Sequence, residues 1–369
     1  MSKKILISAF SSLTTDQRIE KVCRTLHENG YEVHLIGNDW GGNEVLERPY
    51  SYSRIKILSK SLKTAYFEFN AKLYKWLKQN ADQNSILWAN DLDALYPSYR
   101  ISKKLGIPLV YDSHEIFTEL PSVEGRFTQK IWRFLEKKLM PSIKLMMTES
   151  QSYADWFQEK YGVEAVVVGN LPRRIYETPS FPENTPKKII YQGAINQSRG
   201  LKQTILAMKL IENAEFQIAG AGPLKKELED YVKAEKVEDK VKFIGKLMPE
   251  KLREFTKTAD VGISLEENNG VSYLYSLPNK VGDYIQSRVP LVMINFPEMM
   301  RIKKQFNVGE VVESHDPKLI ADALKLVLEK GRASYESELS KAAEVYCWEN
   351  EEKKILGLVE RALSFSAPN

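Results

Sequence analysis

The chain has 369 residues, room for about two domains, because a single core rarely grows beyond roughly 250 to 300 residues. Its 53 Lys and Arg against 49 Asp and Glu leave a net charge of +4, too small and too dispersed for a nucleic-acid partner. With 43% hydrophobic and 28% charged residues, and no run near the ~20 apolar residues of a membrane span, the composition reads as that of a soluble globular protein.

The N-terminus, M-S-K-K-I-L-I-S-A-F, joins a basic start to a short apolar run with no small-residue cleavage site, and reads as a first strand rather than a signal peptide. Short β-rich runs then alternate with helical patterns: Lys4 to Ser8, Glu32 to Ile36, Ser85 to Ala89, Pro108 to Tyr111, Lys144 to Thr148 and Ala165 to Val168, with helices including Asp16 to Asn29 and Asp93 to Leu105. Strand, helix, strand in this order predicts a parallel sheet covered on both faces, with ligands beyond the carboxyl ends of the strands. Cys23 shares a helical stripe with Ile19, Val22 and Leu26, and Cys347 is far away in sequence. Core packing rather than a bridge is expected, as in a reducing cytoplasm.

Several polar groups fall at the ends of these strands. His114 and Glu115 follow the run Pro108 to Tyr111, with Asp112 as an orienting partner for the imidazole or a strand-end cap. Asp16 and Arg18 open the first helix beside the F-S-S-L-T-T loop, where capping and a surface charge compete with a ligand role. Asp91 and Asp93 are spaced like a metal or a capping pair, and without a Cys or His cluster capping is favoured. Arg126 to Lys144 sets six cations against Glu136, with Trp132, Phe134 and Leu135 interleaved. It reads either as a face for an anionic membrane or as an amphipathic helix with a core stripe and solvated charges.

From Asn170 to Lys188 four prolines and no helical period mark an inter-domain linker. The alternation then restarts with Ile189 to Gln192, Glu215 to Ala219, Val241 to Ile244, Val261 to Leu265, Leu291 to Ile294 and Gly309 to Val312, followed by charged amphipathic helices from Pro317 to Ser364. The most pointed segment is S-L-P-N-K-V-G-D-Y. Pro278 suits a first helical turn, Ser276 a cap, and Val281, Tyr284 and Ile285 an apolar face. The open helix end, with Asn279 and Lys280, favours a phosphate, and Asp283 one turn later suits a ribose hydroxyl pair. The competing reading is a solvated Lys280–Asp283 pair on an ordinary helix.

Five blocks taken in order resemble the retaining GT-B glycosyltransferases of family 4, the glycosyl transferases group 1: T-D-Q-R-I-E-K-V-C-R-T-L-H-E-N-G-Y-E-V, V-Y-D-S-H-E, Y-Q-G-A-I-N-Q-S-R-G, A-G-A-G-P-L and S-L-P-N-K-V-G-D-Y. The resemblance covers nearly the whole chain. It implies an α/β fold of GT-B architecture, two Rossmann-like domains with parallel sheets facing a central cleft. The acceptor domain would be 1–170, with a C-terminal helix of about 348–369 packing back on it, and the donor domain 171–347. A nucleotide diphosphate sugar would be the donor and a saccharide or lipid-linked hydroxyl the acceptor. No cofactor and no metal are implied, and the setting would be cytoplasmic, at the inner membrane face if Arg126 to Lys144 docks there, in cell-envelope or surface polysaccharide assembly.

The family's G-R-L-x-x-x-K-G loop is here G-A-I-N-Q-S-R-G. Gly193 and Gly200 match, Arg199 takes the Lys place, and Ala194 replaces the Arg, so Lys280 becomes the compensating cation for the leaving diphosphate. The family's E-x7-E pattern puts Asp283 on the ribose but Tyr275 where a Glu contacts the donor sugar. Glu266, Glu267, Asn268 and Asn269 lie upstream in a polar loop. The resemblance places His114 near the donor sugar and Asp16, Arg18 and Glu115 on the acceptor side. Gly220 and Gly222 fit a tight turn. A nucleotide-sugar epimerase and a non-catalytic nucleotide-sugar-binding protein are the rivals. A dinucleotide oxidoreductase is disfavoured because no G-x-G-x-x-G follows the first strand.

Overall fold

The computed structural model describes residues 3–14, 16–41, 45–177 and 181–364. Thr15 of the F-S-S-L-T-T loop, residues 178–180 of the linker and residues 365–369 of the expected last helix lie outside them. The chain folds as two units, one of residues 1–170 with 351–369 and one of 171–350.

The first unit is a seven-stranded, all-parallel sheet: β1 (Lys4–Ser8), β2 (Glu32–Asp39), β3 (Ser51–Lys56), β4 (Ser85–Asn90), β5 (Leu109–Ser113), β6 (Leu145–Thr148) and β7 (Val166–Val167), in the order β3-β2-β1-β4-β5-β6-β7. Ile7 stands level with Leu35 on β2 and with Trp88 on β4. All six residues of β4 are buried, as a strand covered by helices on both faces requires. The helix Leu62–Asn80 buries Ala65, Phe69, Leu73 and Leu77, one residue per turn, against this sheet's core. The last helix begins at Trp348, and the chain belongs to this unit again from Glu351, whose carboxylate accepts a hydrogen bond from Gly169 N at 2.8 Å.

The second unit repeats the plan with six parallel strands: β8 (Lys187–Gln192), β9 (Ala214–Ala219), β10 (Val241–Gly245), β11 (Val261–Ser264), β12 (Leu291–Ile294) and β13 (Gly309–Val312), in the order β10-β9-β8-β11-β12-β13. Ile189, Phe216, Ile263, Val281, Tyr284, Ile285 and Val292 are fully buried in one continuous core. Both cysteines are buried and free.

In each sheet the strand order reverses beside the unit's first strand, at β1 and β4 in one and at β8 and β11 in the other. Loops leaving neighbouring strands in opposite directions open a crevice there, which is where such sheets bind ligands.

Candidate functional site

The second unit's reversal point is built from the loop after β8, the loop after β11 and the helix Asn279–Gln286. The three are locked together. Glu267 N donates to Ser198 O at 3.1 Å, and Asn269 Nδ2 bonds Ser198 Oγ. A Cβ at Gly200, whose φ is +64°, would collide with the Leu265 carbonyl, and Cβ atoms at Gly220 and Gly222 would collide with the backbone of Gly193 and Ile195. These glycines therefore let the β9 turn and the β8 loop touch, a packing role.

Lys280 lies under this loop and is 8% exposed. A Cβ on Gly193 would sit 3.7 Å from Lys280 Cε, and the ammonium stands 4.8 Å from the Tyr191 ring centroid. Its partner is not Asp283 but Glu266, 1% exposed, whose other oxygen accepts from Ser264 Oγ at 2.7 Å. Burial alone would raise the Glu266 carboxyl, but the Lys280 charge, hydrogen bonds from Lys280 and Ser264, and the Arg199 charge hold it below its ordinary range. Burial pulls the Lys280 ammonium down against the pull of Glu266, and the Arg199 charge adds to the lowering. Arg199 is half-buried, with its guanidinium 5.3 Å from the Tyr273 ring centroid.

Asp283 is held separately. Gln192 Nε2 donates to it at 2.8 Å, and Gln192 Oε1 accepts from Thr256 Oγ1 at 2.6 Å. The helix cap differs from the expectation. Pro278 is the N-cap residue rather than the first helical one, and Ser276 ends the short helix Val271–Tyr275, its hydroxyl donating to Tyr273 O at 3.0 Å. Pro278, with a fixed φ and no hydroxyl, gives Asn279–Gln286 no side-chain cap, and Asn279 is exposed there. The structure thus brings Gly193, Arg199, Gly200, Asn279 and Lys280 to one place and removes Ser276 from the cap. Glu266, placed in sequence only within a polar loop, is the lysine's counterion, and Gln192 carried no sequence signal beyond its position at a strand end.

The first unit's reversal point carries a different cluster. His114 Nε2 lies 3.3 Å from Asp112 Oδ2 and 3.1 Å from Asn90 Oδ1, Nδ1 lies 3.6 Å from Asp91 Oδ2, and the backbone N–H donates to Asp91 Oδ1 at 2.9 Å. Burial alone would lower the imidazole, but Asp91 and Asp112 outweigh it and push His114 up to about 10. It is an imidazolium at neutral pH, a donor and a charge rather than a base. Asp112 therefore orients the histidine, as one of the two readings had it. Asp91, at φ +57°, turns its carboxylate to His114 instead of capping its own helix, a correction to the capping expectation.

Arg18 is corrected more sharply. It is 3% exposed and clamps Asp112 with Nε at 3.2 Å and Nη2 at 2.7 Å, while Nη1 donates to Val168 O at 2.5 Å, so it braces β5 and is no surface charge facing an acceptor. Asp16 caps the first helix, accepting from Ile19 N at 3.1 Å. Glu115 is exposed, and its carbonyl accepts from Ser113 Oγ at 2.7 Å. Among the described residues no three His, Cys, Asp or Glu side chains are placed to hold a metal ion.

The basic segment splits into two faces on the helix Phe127–Leu139. Trp132 packs edge-on against Tyr66 and Phe117, and Gln129, Glu136 and Leu139 are buried, while Phe127 (76% exposed), Ile131 (43%) and Phe134 (68%) stand open among Lys130, Lys137 and Lys138. Among the described residues no helix is long and apolar enough to cross a membrane.

Two family models match the chain in succession, "Glycosyltransferase Family 4" over residues 17–170 and "Glycosyl transferases group 1" over 173–345. An uncharacterized glycosyltransferase of Methanocaldococcus jannaschii is 28% identical over 189 residues, a stretch covering 49% of this chain and only 46% of that relative. Among solved structures, sucrose-phosphate synthase from Thermosynechococcus elongatus superposes with a TM-score of 0.80 at 13% identity, covering 98% of this chain and 99% of that one. Anabaena HepE in complex with UDP superposes at 0.73 and 13% identity, covering 97% and 100%. With a parallel-sheet domain in each half and both halves of the pattern matched, the chain belongs to the GT-B glycosyltransferases of family 4 and group 1.

Proposed function

We propose that the protein transfers a glycosyl group from a nucleotide diphosphate sugar to a hydroxyl, with retention at the anomeric carbon. The observation that carries the reading is the buried Lys280–Glu266 pair beside Gly193 at a sheet reversal point. A lysine held in a dry site by one carboxylate, with Arg199 close by, is positive charge kept ready for an anion. The bond from the anomeric carbon to the diphosphate oxygen breaks and a bond to the acceptor oxygen forms on the same face. The acceptor proton passes to a diphosphate oxygen. Lys280, Arg199 and the amides at the start of Asn279–Gln286 take up the leaving charge, which is why the reaction is proposed to proceed without a metal. Gly193 and Gly200 shape the phosphate loop, Asp283 binds the ribose, and His114, as a cation, donates to the donor sugar.

Anabaena HepE is described with UDP and with UDP-glucose, which supports a nucleotide-sugar donor here. Phe127, Ile131 and Phe134 among lysines support docking on an anionic membrane, and with it an envelope glycolipid or polysaccharide role at the cytoplasmic face. A thermal-shift panel of UDP, GDP, ADP, TDP and their sugars tests the donor. One clear stabiliser is expected, and none at millimolar levels sinks the donor site. Sedimentation with phosphatidylglycerol vesicles tests the membrane face. Binding should fall when Phe127 and Phe134 become Ser, and equal binding removes that role.

A further inference from the structure

Strand β8 runs through Ile189, Ile190 and Tyr191 and ends on Gln192, a polar side chain only 3% exposed at the second unit's reversal point. A buried amide costs stability unless its atoms are hydrogen-bonded, and both ends of this one are. Gln192 Nε2 donates to Asp283 Oδ2 at 2.8 Å, and Oε1 accepts from Thr256 Oγ1 at 2.6 Å. Thr256, on the helix Pro249–Lys257, is 1% exposed, and its hydroxyl also lies 2.7 Å from Leu252 O. The direction of the chain is fixed by its acid end. Turning the amide over would set its oxygen against the Asp283 carboxylate, so the NH2 group faces Asp283 and the oxygen takes the Thr256 proton.

These two residues are not what holds the helix Asn279–Gln286 in place. Val281, Tyr284 and Ile285, all fully buried, do that, and Tyr284 Oη donates to Ile190 O on β8 at 3.3 Å. What Gln192 and Thr256 fix is the Asp283 carboxylate, which is only half-buried. Asp283 follows Lys280 by three residues, about 4.5 Å further along the helix axis. Beside a diphosphate held at Lys280, that is where the sugar of a nucleoside comes to lie. A ribose offers a vicinal pair of hydroxyls to a carboxylate, and a 2′-deoxyribose has lost one of them. A carboxylate able to turn would follow either sugar, whereas one held by a buried amide discriminates between them.

We propose that Gln192 and Thr256 are positioning residues for donor recognition. They set Asp283 to accept from the 2′-hydroxyl, so that the donor is a ribonucleoside diphosphate sugar and not a deoxyribonucleoside one. The proposal rests on the transferase reading, in which Asp283 binds the ribose, and narrows its donor class.

The test is calorimetric titration of the full chain with UDP, GDP, ADP and CDP, with their 2′-deoxy counterparts and with TDP. The proteins are wild type, Gln192→Leu, Thr256→Val and Thr256→Ser. The ribonucleotide that wild type binds most tightly should bind about tenfold or more better than its 2′-deoxy form, the worth of one hydrogen bond to a charged group. That ratio should fall to about two or less in Gln192→Leu and by about threefold in Thr256→Val, where the amide oxygen is left without its donor. Thr256→Ser, which keeps the hydroxyl, should return it to the wild-type value. A purely structural role would lower the melting temperature and weaken both nucleotides equally, leaving the ratio as it was. Thr256→Val keeps the shape of the side chain, so it and its Ser counterpart carry the test even if Gln192→Leu does not fold. Equal binding of ribo and deoxy forms by wild type, tightest binding of TDP, or a ratio unmoved in Thr256→Val overturns the proposal and leaves the donor site standing. A wild type that binds none of these nucleotides overturns the donor site, and the proposal with it.

Discussion

The two reversal points share one plan and differ in charge. Each puts a buried ion pair at the carboxyl ends of its central strands, Lys280 with Glu266 in the second unit and Arg18 with Asp112 in the first. In the second unit two cations, Lys280 and Arg199, face the single carboxylate of Glu266, since Asp283 is held apart by Gln192. In the first, Asp91, Asp93 and Asp112 outnumber Arg18 and His114. The same kind of crevice therefore carries a cationic cluster in the second unit and an acid-rich one in the first. The loop rather than the sheet decides the ligand.

That contrast breaks most visibly at Lys280. Lys280→Met leaves Glu266 buried and unpaired and should cost on the order of 3–5 kcal/mol in urea unfolding. Adding Glu266→Gln should restore most of the stability while diphosphate binding stays lost. Restored binding in the double variant would make the pair a fold element only. Arg18→Met should destabilise by a similar amount, on the order of 3–5 kcal/mol, because Asp112 loses its clamp. Diphosphate affinity should be unchanged, and a parallel loss would show that the two clusters are not independent.

A smaller effect separates the histidine. Because His114 is raised from 6.5 to about 10 in the folded state, its contribution to stability is complete below about 6.5 and is lost as the pH climbs toward 10. In His114→Gln, the fall in melting temperature between pH 7 and pH 10 should flatten. An unaltered slope would mean that the imidazole is not held charged.

The strands were legible because a parallel sheet covered on both faces writes short, continuous apolar runs, as in I-L-I-S and L-V-M-I. Strand β3 was not, because at the sheet edge its Tyr52, Ser53 and Arg54 are half-exposed and carry no period. The helix Leu62–Asn80 was also missed, its stripe of Ala65, Phe69, Leu73 and Leu77 being one residue wide. In the candidate site, Lys280 and Arg199 could be named from their place in a pattern. Their partners could not, since Glu266 meets Lys280 only when a loop and a helix are brought together in space. Arg18 looked like a surface charge because nothing in the sequence shows that Asp112, 94 residues away, comes to lie against it.

The most direct measurement is the calorimetric affinity of the nucleoside diphosphate that stabilises the protein most, in wild type, Lys280→Ala and Arg199→Ala. The expected result is a loss of roughly a hundredfold or more for Lys280→Ala and about tenfold or more for Arg199→Ala, as for removal of a charge-assisted contact in a dry site. Wild-type affinity in Lys280→Ala would contradict the diphosphate clamp.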